Sequence, residues 1–266
     1  MKELIKMLAK KLLPLDLLHS PPSFSLKSDI SDFKNMHHGE TCVVIGNGPS
    51  LNSVDFEMLR NFTTFGVNGI FYKTDEVGFI PDYYVVEDTA VMVDNVDRIT
   101  KYRGKKASFF PTMYKKFFDD RKDRYFFKMD RRFYEQRSYG FEVPQFSRDC
   151  NQRIFCNQSV TFINFQLALY MGFQKILLVG MDHDYIIPKD HIVKGHKILS
   201  TSDDPNHFHP DYFGAGKTWH DPKLHNVENS YRFFNIAAGI RGATIVNCTD
   251  GGKLEVFLRG NLSDFL

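Results

Sequence analysis

At 266 residues with a formal net charge of +2, the chain is long enough to bury a large core as one domain, or one domain with an elaborated lid, and too weakly charged to suggest a nucleic-acid partner. Cys42, Cys150, Cys156 and Cys248 form no C-x-x-C pair, so reduced cytosolic thiols are the simplest reading. No apolar run approaches the ~20 residues that span a bilayer, and no small-residue cleavage site follows the first predicted helix, so a cytoplasmic protein is expected.

Met1 to Leu18 carries Leu4, Ile5, Leu8, Leu12 and Leu15 at helical spacing among Lys2, Lys6, Lys10 and Lys11. This predicts a basic amphipathic helix that Pro14 kinks or ends. Such a helix either lies peripherally on the anionic surface of the inner membrane or packs on its own domain or a second subunit, which leaves a homo-oligomer open. His19 to Gly39, with Pro21 and Pro22, reads as a linker. Residues 1–39 are thus set apart from a catalytic domain spanning 40–266.

The run Thr41 to Ile45 empties into Gly46-Asn47-Gly48-Pro49-Ser50, and a helix is expected from about Val54 and Asp55. A short apolar strand, a glycine turn and a helix start form the arrangement of a nucleotide-phosphate site. Gly46 and Gly48 are expected to leave room for a ligand and to tolerate positive φ, Asn47 and Ser50 to add donors, and Asn52 or Ser53 to cap the helix. A plain strand-to-helix turn is the competing reading.

Further strands are expected at Thr63 to Val67, Asp82 to Val86, Ala107 to Phe110, Lys175 to Val179 and Ala243 to Val246. Helices are expected near Asp55 to Arg60, Ser159 to Met171 and Leu224 to Arg241, the last two stopped by Gly172 and Gly242. Several strands are apolar on both faces, as strands buried under helices are. The fold class is therefore α/β: a doubly wound, mostly parallel Rossmann-like sheet whose ligands gather at the carboxyl ends of the strands. Asn68, Glu87, Asp88 and the run Asp182-His183-Asp184 fall at those ends, where carboxylates either bind Mg²⁺ or accept ribose and sugar hydroxyls without metal.

Two insertions are expected. Residues 113–140 mix nine Lys/Arg with nine Phe/Tyr and five acidic residues, which reads as a solvated face over an apolar stripe or as a surface for an acidic glycan or lipid headgroup. Residues 183–222 hold His183, His191, His196, His207, His209 and His220 with Tyr185, Tyr212, Lys217 and Trp219, and a loop of this length is usually a functional lid. Zinc is a weak reading of His207-Phe208-His209, because no cysteine partner or H-E-x-x-H helix accompanies it. A neutral histidine acting as general base is more economical.

The segments Ile45 to Leu51, Val67-Asn68, Tyr83 to Asp88, Gln166 to Gly172, Leu178 to Asp182, His207-Phe208 with Pro210 to Gly214, and Gly251 to Phe257 resemble the bacterial branch of the 6-hydroxymethylpterin diphosphokinase MptE-like domain, commonly associated with surface-polysaccharide synthesis. A fainter similarity links Gly46-Asn47-Gly48-Pro49-Ser50-Leu51, Asn68 and Gly180-Met181-Asp182 to the lipooligosaccharide sialyltransferases of glycosyltransferase family 42. That similarity implies a lid histidine as base and lid tyrosines that stabilise a departing CMP phosphate, with no metal or other cofactor required. By order in the chain, His207 is the candidate base, with Tyr185 and Tyr212 as catalytic phosphate partners and Lys217 as a further donor. Tyr185 lies one residue beyond the sialyltransferase spacing, so His209 and His220 stay rivals.

The expected function is glycosyl transfer, of a nonulosonic acid such as sialic acid from a CMP-linked nucleotide sugar, to a glycan or lipid-linked glycan acceptor. Gly46, Asn47, Gly48, Pro49, Ser50, Asn68, Asp88 and Asp182 would bind the nucleotide. One alternative is an ATP pyrophosphokinase with Mg²⁺ on Asp88, Asp182 and Asp184. Another is a noncatalytic nucleotide- or glycan-binding subunit.

Overall fold

The computed structural model describes residues 30–119, 122–195 and 197–266, so the expected helix at Met1 to Leu18 lies outside the described residues, as does His196. The strands in chain order are β1 (Thr41–Ile45), β2 (Thr63–Val67), β3 (Tyr83–Val85), β4 (Ala107–Pro111), β5 (Arg124–Phe127), β6 (Met129–Asp130), β7 (Ile154–Phe155), β8 (Lys175–Val179), β9 (Ile192–Lys194), β10 (Lys197–Leu199), β11 (Thr218–His220), β12 (Thr244–Asn247) and β13 (Leu258–Arg259). The α-helices are α1 (Phe56–Leu59), α2 (Phe71–Val77), α3 (Thr89–Asp94), α4 (Val96–Ile99), α5 (Thr161–Met171) and α6 (Leu224–Ile240).

Eight strands form one sheet in the order β13-β12-β8-β1-β2-β3-β4-β5, and every pairing within it is parallel. From β1 the chain winds outward through β5, then returns to the other side of β1 and winds outward again through β8, β12 and β13. The reversal between β1 and β8 opens a crevice at their carboxyl ends, where Ile45 pairs with Val179.

Alternation along the strands explains why both faces are covered. Cys42, Val44, Phe65, Tyr83, Val85, Phe109, Ile176 and Leu178 face one core with α5 and α6, whereas Val43, Ile45, Tyr84, Val86, Phe110, Leu177 and Val179 face the other with α1 to α4. All eleven residues of α5 are buried. Its stop is the expected one, Gly172 at φ 93°.

Three expectations are corrected. Neither Asn52 nor Ser53 caps an α-helix, because residues Pro49–Ser53 form a 3-10 turn and Asp55 accepts the Glu57 N–H that starts α1. Residues 113–140 are not wholly an insertion, since they supply the edge strand β5 and the buried Tyr114, Phe118, Phe126, Phe127 and Phe133. The aromatic spacing there mixes strand and turn, which hid the period of two. On the arm side of the boundary drawn at residue 40, Ile30 and Phe33 are core residues, and Phe33 meets Phe109 and Tyr125 edge-on.

The lid of 183–222 folds as the antiparallel sheet β11-β10-β9 with the loop 200–217. It docks on the glycine turn through Phe208 N–H to Asn47 O at 2.9 Å and Asn52 Nδ2 to Phe208 O at 3.0 Å.

Candidate active site

A cleft of about 540 Å³ occupies the switch between β1 and β8. Gly46, Asn47, Gly48, Asn68, Asp88, Asp182, Tyr185, His207 and Tyr212 all line it. Of six non-glycine residues with positive φ among the described residues, four line this cleft: Asn68, Glu142, His183 and Lys223. Left-handed backbone at such residues is unfavourable, and its concentration here singles out the cleft as the candidate site.

The glycine turn is held from within the protein. Gly46 N–H donates to Val179 O at 2.8 Å and Gly48 N–H to Gly180 O at 2.9 Å, extending the ladder past the strand ends. A Cβ on Gly46 would lie 2.3 Å from Gly180 O, and one on Gly48 would lie 1.9 Å from Asp182 Oδ2. The glycines are therefore dictated by close packing against the end of β8. Positive φ is not the reason, since Gly48 sits at φ −68° and Gly46 is not among the positive-φ residues. Ser50 likewise turns inward: its N–H donates to Asp182 Oδ1 at 3.0 Å and its hydroxyl to Asp182 Oδ2 at 2.7 Å. The protein's own carboxylate thus takes the place at the turn where an external anion was expected.

Asn47 and Asn68 present the unfilled polar capacity. Asn47 Nδ2 donates to Val67 O at 3.1 Å and to the Tyr212 hydroxyl at 3.0 Å, while Asn47 Oδ1 and Asn68 Oδ1 are buried without a partner among the described residues. Unpaired buried acceptors are rare and unfavourable in the free protein, so a ligand bearing hydroxyl or amino donors fits them. Tyr212 also receives Gly69 N–H at 3.4 Å. With two donors aimed at its oxygen, the phenol directs its own proton elsewhere. Burial raises its pKa well above the usual tyrosine range, which keeps that proton in place.

His207 is the lid histidine with a built partner. Its Nδ1 lies 2.8 Å from Asp204 Oδ2, and both side chains are almost fully buried. Asp204 also accepts the N–H groups of Asn206 at 2.8 Å and Phe213 at 2.9 Å. Burial pushes the Asp204 carboxyl up, but the hydrogen bond and charge of His207 and the two amides outweigh it and hold its pKa below the ordinary aspartate value. The ring stacks on Tyr212 at 4.1 Å with 2° between planes, and Tyr185 and Phe213 meet it edge-on. An ionised aspartate on Nδ1 fixes the tautomer and leaves Nε2 as the basic nitrogen.

The other candidates are placed differently. His209 stacks on Tyr72 at 4.4 Å, accepts Asp211 N–H and does not line the cleft. His220 lines it, 3.7 Å from Asp88 Oδ2. Lys217, expected as a phosphate donor, instead reaches the Tyr72 hydroxyl at 2.8 Å and the carbonyls of Asp211 and Tyr212, outside the cleft. The three carboxylates expected to share Mg²⁺ have separate partners. Asp88 caps α3 through Ala90 and Val91 N–H, Asp182 holds Ser50, and Asp184 pairs with Lys253 at 2.8 Å. Among the described residues no three His, Cys, Asp or Glu side chains stand together as a metal site.

Sequence reasoning missed Arg131, Tyr134, Gln136, Gln158, Tyr231 and Lys223, which also line the cleft. The first three lie in the basic aromatic stretch, where nothing in the pattern separates a cleft residue from a solvated one.

The family model of 6-hydroxymethylpterin diphosphokinase MptE-like proteins matches residues 18–188. Among solved structures, the MAf glycosyltransferase from Magnetospirillum magneticum AMB-1 is similar over 87% of this chain and 37% of that one, with a TM-score of 0.49 and 15% identity. The chain thus spans little more than a third of the length of that structure. No curated protein matches.

Proposed function

The chain belongs to the 6-hydroxymethylpterin diphosphokinase MptE-like family, and from that premise we propose that it is a transferase acting on a nucleotide-activated sugar, with His207 as the general base. The observation that carries this reading is His207 on the wall of the switch-point cleft, held from behind by Asp204 on its Nδ1. His207 Nε2 takes the proton of an acceptor hydroxyl as that oxygen bonds to the anomeric carbon. The bond from the anomeric carbon to the nucleotide phosphate breaks, and its electron pair leaves with the phosphate. Asp204 stabilises the imidazolium that forms. Tyr212 offers its free hydroxyl proton to the departing phosphate, and Tyr185 stands beside it on the same wall.

Asn47 Oδ1 and Asn68 Oδ1 accept hydrogen bonds from the donor nucleotide or sugar. Asp182 acts through Ser50, holding the turn that shapes the phosphate end of the cleft. A CMP-linked nonulosonic acid and a surface-glycan acceptor are the favoured substrates, on the resemblance of the glycine turn, Asn68 and Gly180-Met181-Asp182 to the sialyltransferases. No helix among the described residues is long and apolar enough to cross a membrane. Work at the inner-membrane surface would rest on the basic segment Met1 to Leu18.

Thermal-shift titration with CMP, UDP, GDP and ATP, with and without Mg²⁺, tests the reading. Stabilisation by CMP without metal, and loss of turnover in His207→Ala with nucleotide affinity within a few-fold, support it. Stabilisation by ATP only with Mg²⁺ would establish the pyrophosphokinase reading instead.

A further inference from the structure

The outer side of the lid is a surface that neither the proposed base nor the glycine turn uses. Within residues 186–199, Ile186, Ile187, Ile192, Val193 and Leu199 stand between 36% and 62% exposed, and no other stretch of that length among the described residues exposes as many large apolar side chains. Single exposed apolar residues are ordinary, whereas a group of them marks an interaction site. Ile186 is held in place: its N–H donates to Oδ1 of the buried Asn206 at 2.7 Å, and its carbonyl accepts from Asn206 Nδ2 at 2.8 Å. Register sorts the lid sheet into two faces, because residues directly opposite on paired strands point the same way. Val193, Ile198 and Trp219 share one face. Ile198 and Trp219 are buried there, and the indole donates to Ser200 Oγ at 3.1 Å, so this face is turned to the lid's own core. The other face carries the row Ile192, Leu199, Thr218 and the row Lys194, Lys197, His220. His220 lines the cleft, so the second row runs outward from its mouth.

We propose that this lid face docks on an anionic lipid bilayer, with the exposed aliphatic side chains in the interface and Lys189, Lys194 and Lys197 against the acidic headgroups, so that the mouth of the cleft lies at the membrane. Charge and composition select that occupant. Three lysines against the lone Asp190 give residues 186–199 an excess of +2, as large as that of the whole chain. Asp190 is itself engaged, accepting from Thr201 Oγ1 at 2.9 Å. Lys194 and Lys197 stand directly opposite each other across β9 and β10, and like charges so placed are unfavourable in the free protein. Among the described residues neither ammonium has an acidic partner. Acidic headgroups relieve that repulsion, and each lysine brought to them strengthens binding. Aliphatic side chains flanked by lysines, whose long stems let the charge reach the headgroups, are what a bilayer surface accepts, whereas single-stranded nucleic acid calls for stacking rings. A second copy paired along β9 fits less well, because that edge strand is three residues long and carries Lys194.

The contact stands whichever group the cleft transfers, so its test is separate from that of His207. The full chain is sedimented with vesicles of phosphatidylcholine alone and of phosphatidylcholine containing about one third phosphatidylglycerol, with thermal melts checking that each variant folds. The wild type binds the acidic vesicles, binds the neutral ones at least about tenfold more weakly, and loses affinity as salt screens the headgroups. Lys194→Gln with Lys197→Gln weakens binding to acidic vesicles at least about tenfold and flattens the salt dependence. Ile192→Ser with Leu199→Ser weakens it by about as much and leaves the salt dependence in place. Lys105→Gln with Lys106→Gln, the same loss of charge just before β4 at the opposite end of the sheet, binds like wild type. Every variant keeps Met1 to Leu18, so wild-type binding by either lid variant would place the contact in that segment and overturn the proposal. Failure of the wild type to bind acidic vesicles, or an equal loss in the Lys105 and Lys106 variant, would overturn it too. So would a wild-type dimer in sedimentation velocity that Ile192→Ser with Leu199→Ser turns into a monomer, since the face would then belong to a second copy.

Discussion

Asp204→Asn removes one charge with almost no change in volume. Asp204 Oδ2 accepts from His207 Nδ1 at 2.8 Å and Phe213 N–H at 2.9 Å, and Oδ1 accepts from Asn206 N–H at 2.8 Å. An amide has one oxygen, so one side must set N–H against N–H. With its nitrogen toward His207, the ring presents a lone pair at Nδ1 and carries its proton on Nε2, the wrong tautomer for a base. With its oxygen toward His207 the tautomer survives, but the charge that stabilises the imidazolium is gone. A unit charge pair ~3 Å apart at an effective dielectric of 20 is worth about 5 kcal/mol. Allowing for solvent in the cleft, a loss of about 3–5 kcal/mol corresponds to ~10²- to 10⁴-fold in rate. The amide left facing a donor lowers stability by only ~1–3 kcal/mol.

The assay is turnover of the donor identified by titration, with a melt on the same sample. Turnover within threefold of wild type in a folded Asp204→Asn protein would refute the base assignment. The same substitution changes the acid limb of stability. Although burial raises the Asp204 pKa, His207 and the two amides hold it below the ordinary value. Its contribution is complete above the unfolded aspartate value of about 4 and is lost as pH falls through the folded value. Asp204→Asn therefore flattens the acid limb in pH-dependent denaturant melts.

Gly48→Ala places a Cβ 1.9 Å from Asp182 Oδ2 and forces the Ser50–Asp182 contact open. A loss of ~2–4 kcal/mol, or roughly 5–15 °C in Tm, is expected by calorimetry, and an unchanged Tm would show that the turn relaxes freely. Tyr212→Phe keeps the ring on His207 but removes the acceptor of Asn47 Nδ2 and Gly69 N–H. It should lower stability by ~1–2 kcal/mol and turnover by at least about tenfold; full turnover would remove the phenol from the mechanism. For Glu87, whose folded-state pKa is raised to about 8, stability is full below the unfolded glutamate value of about 4.3 and falls as pH rises to the folded value. Glu87→Gln removes that decline between pH 5 and 8 in denaturant melts, and an unchanged slope would place the decline elsewhere.

The parallel sheet was legible because β1, β2 and β8 are short apolar runs closed by turn residues, and their observed bounds match the expected ones. Gly172 announced the end of α5 in the same way, since a left-handed stop is a local requirement. Helices α2 to α4 went unread because each is four to seven residues long, too short for a 3.6-residue period to repeat. Gly46 and Gly48 stood out, but for a different reason from the one that fixes them: their neighbours across the crevice, Gly180 and Asp182, are more than 130 positions away in the chain.

By itself, then, the amino-acid order determined six inner strands, β1 to β4, β8 and β12, their burial on both faces and the carboxyl-end rim where ligands of such sheets gather, because period and turn chemistry act over a few residues. Only the tertiary structure decided which of the lid histidines has a carboxylate on Nδ1, why Ser50 faces Asp182 across 132 positions, how Tyr212 meets Asn47 across 165, and that Arg131 shares a cleft with Glu87. Those relations depend on distances between segments that only the closed sheet and its docked lid bring together, and no local pattern encodes them.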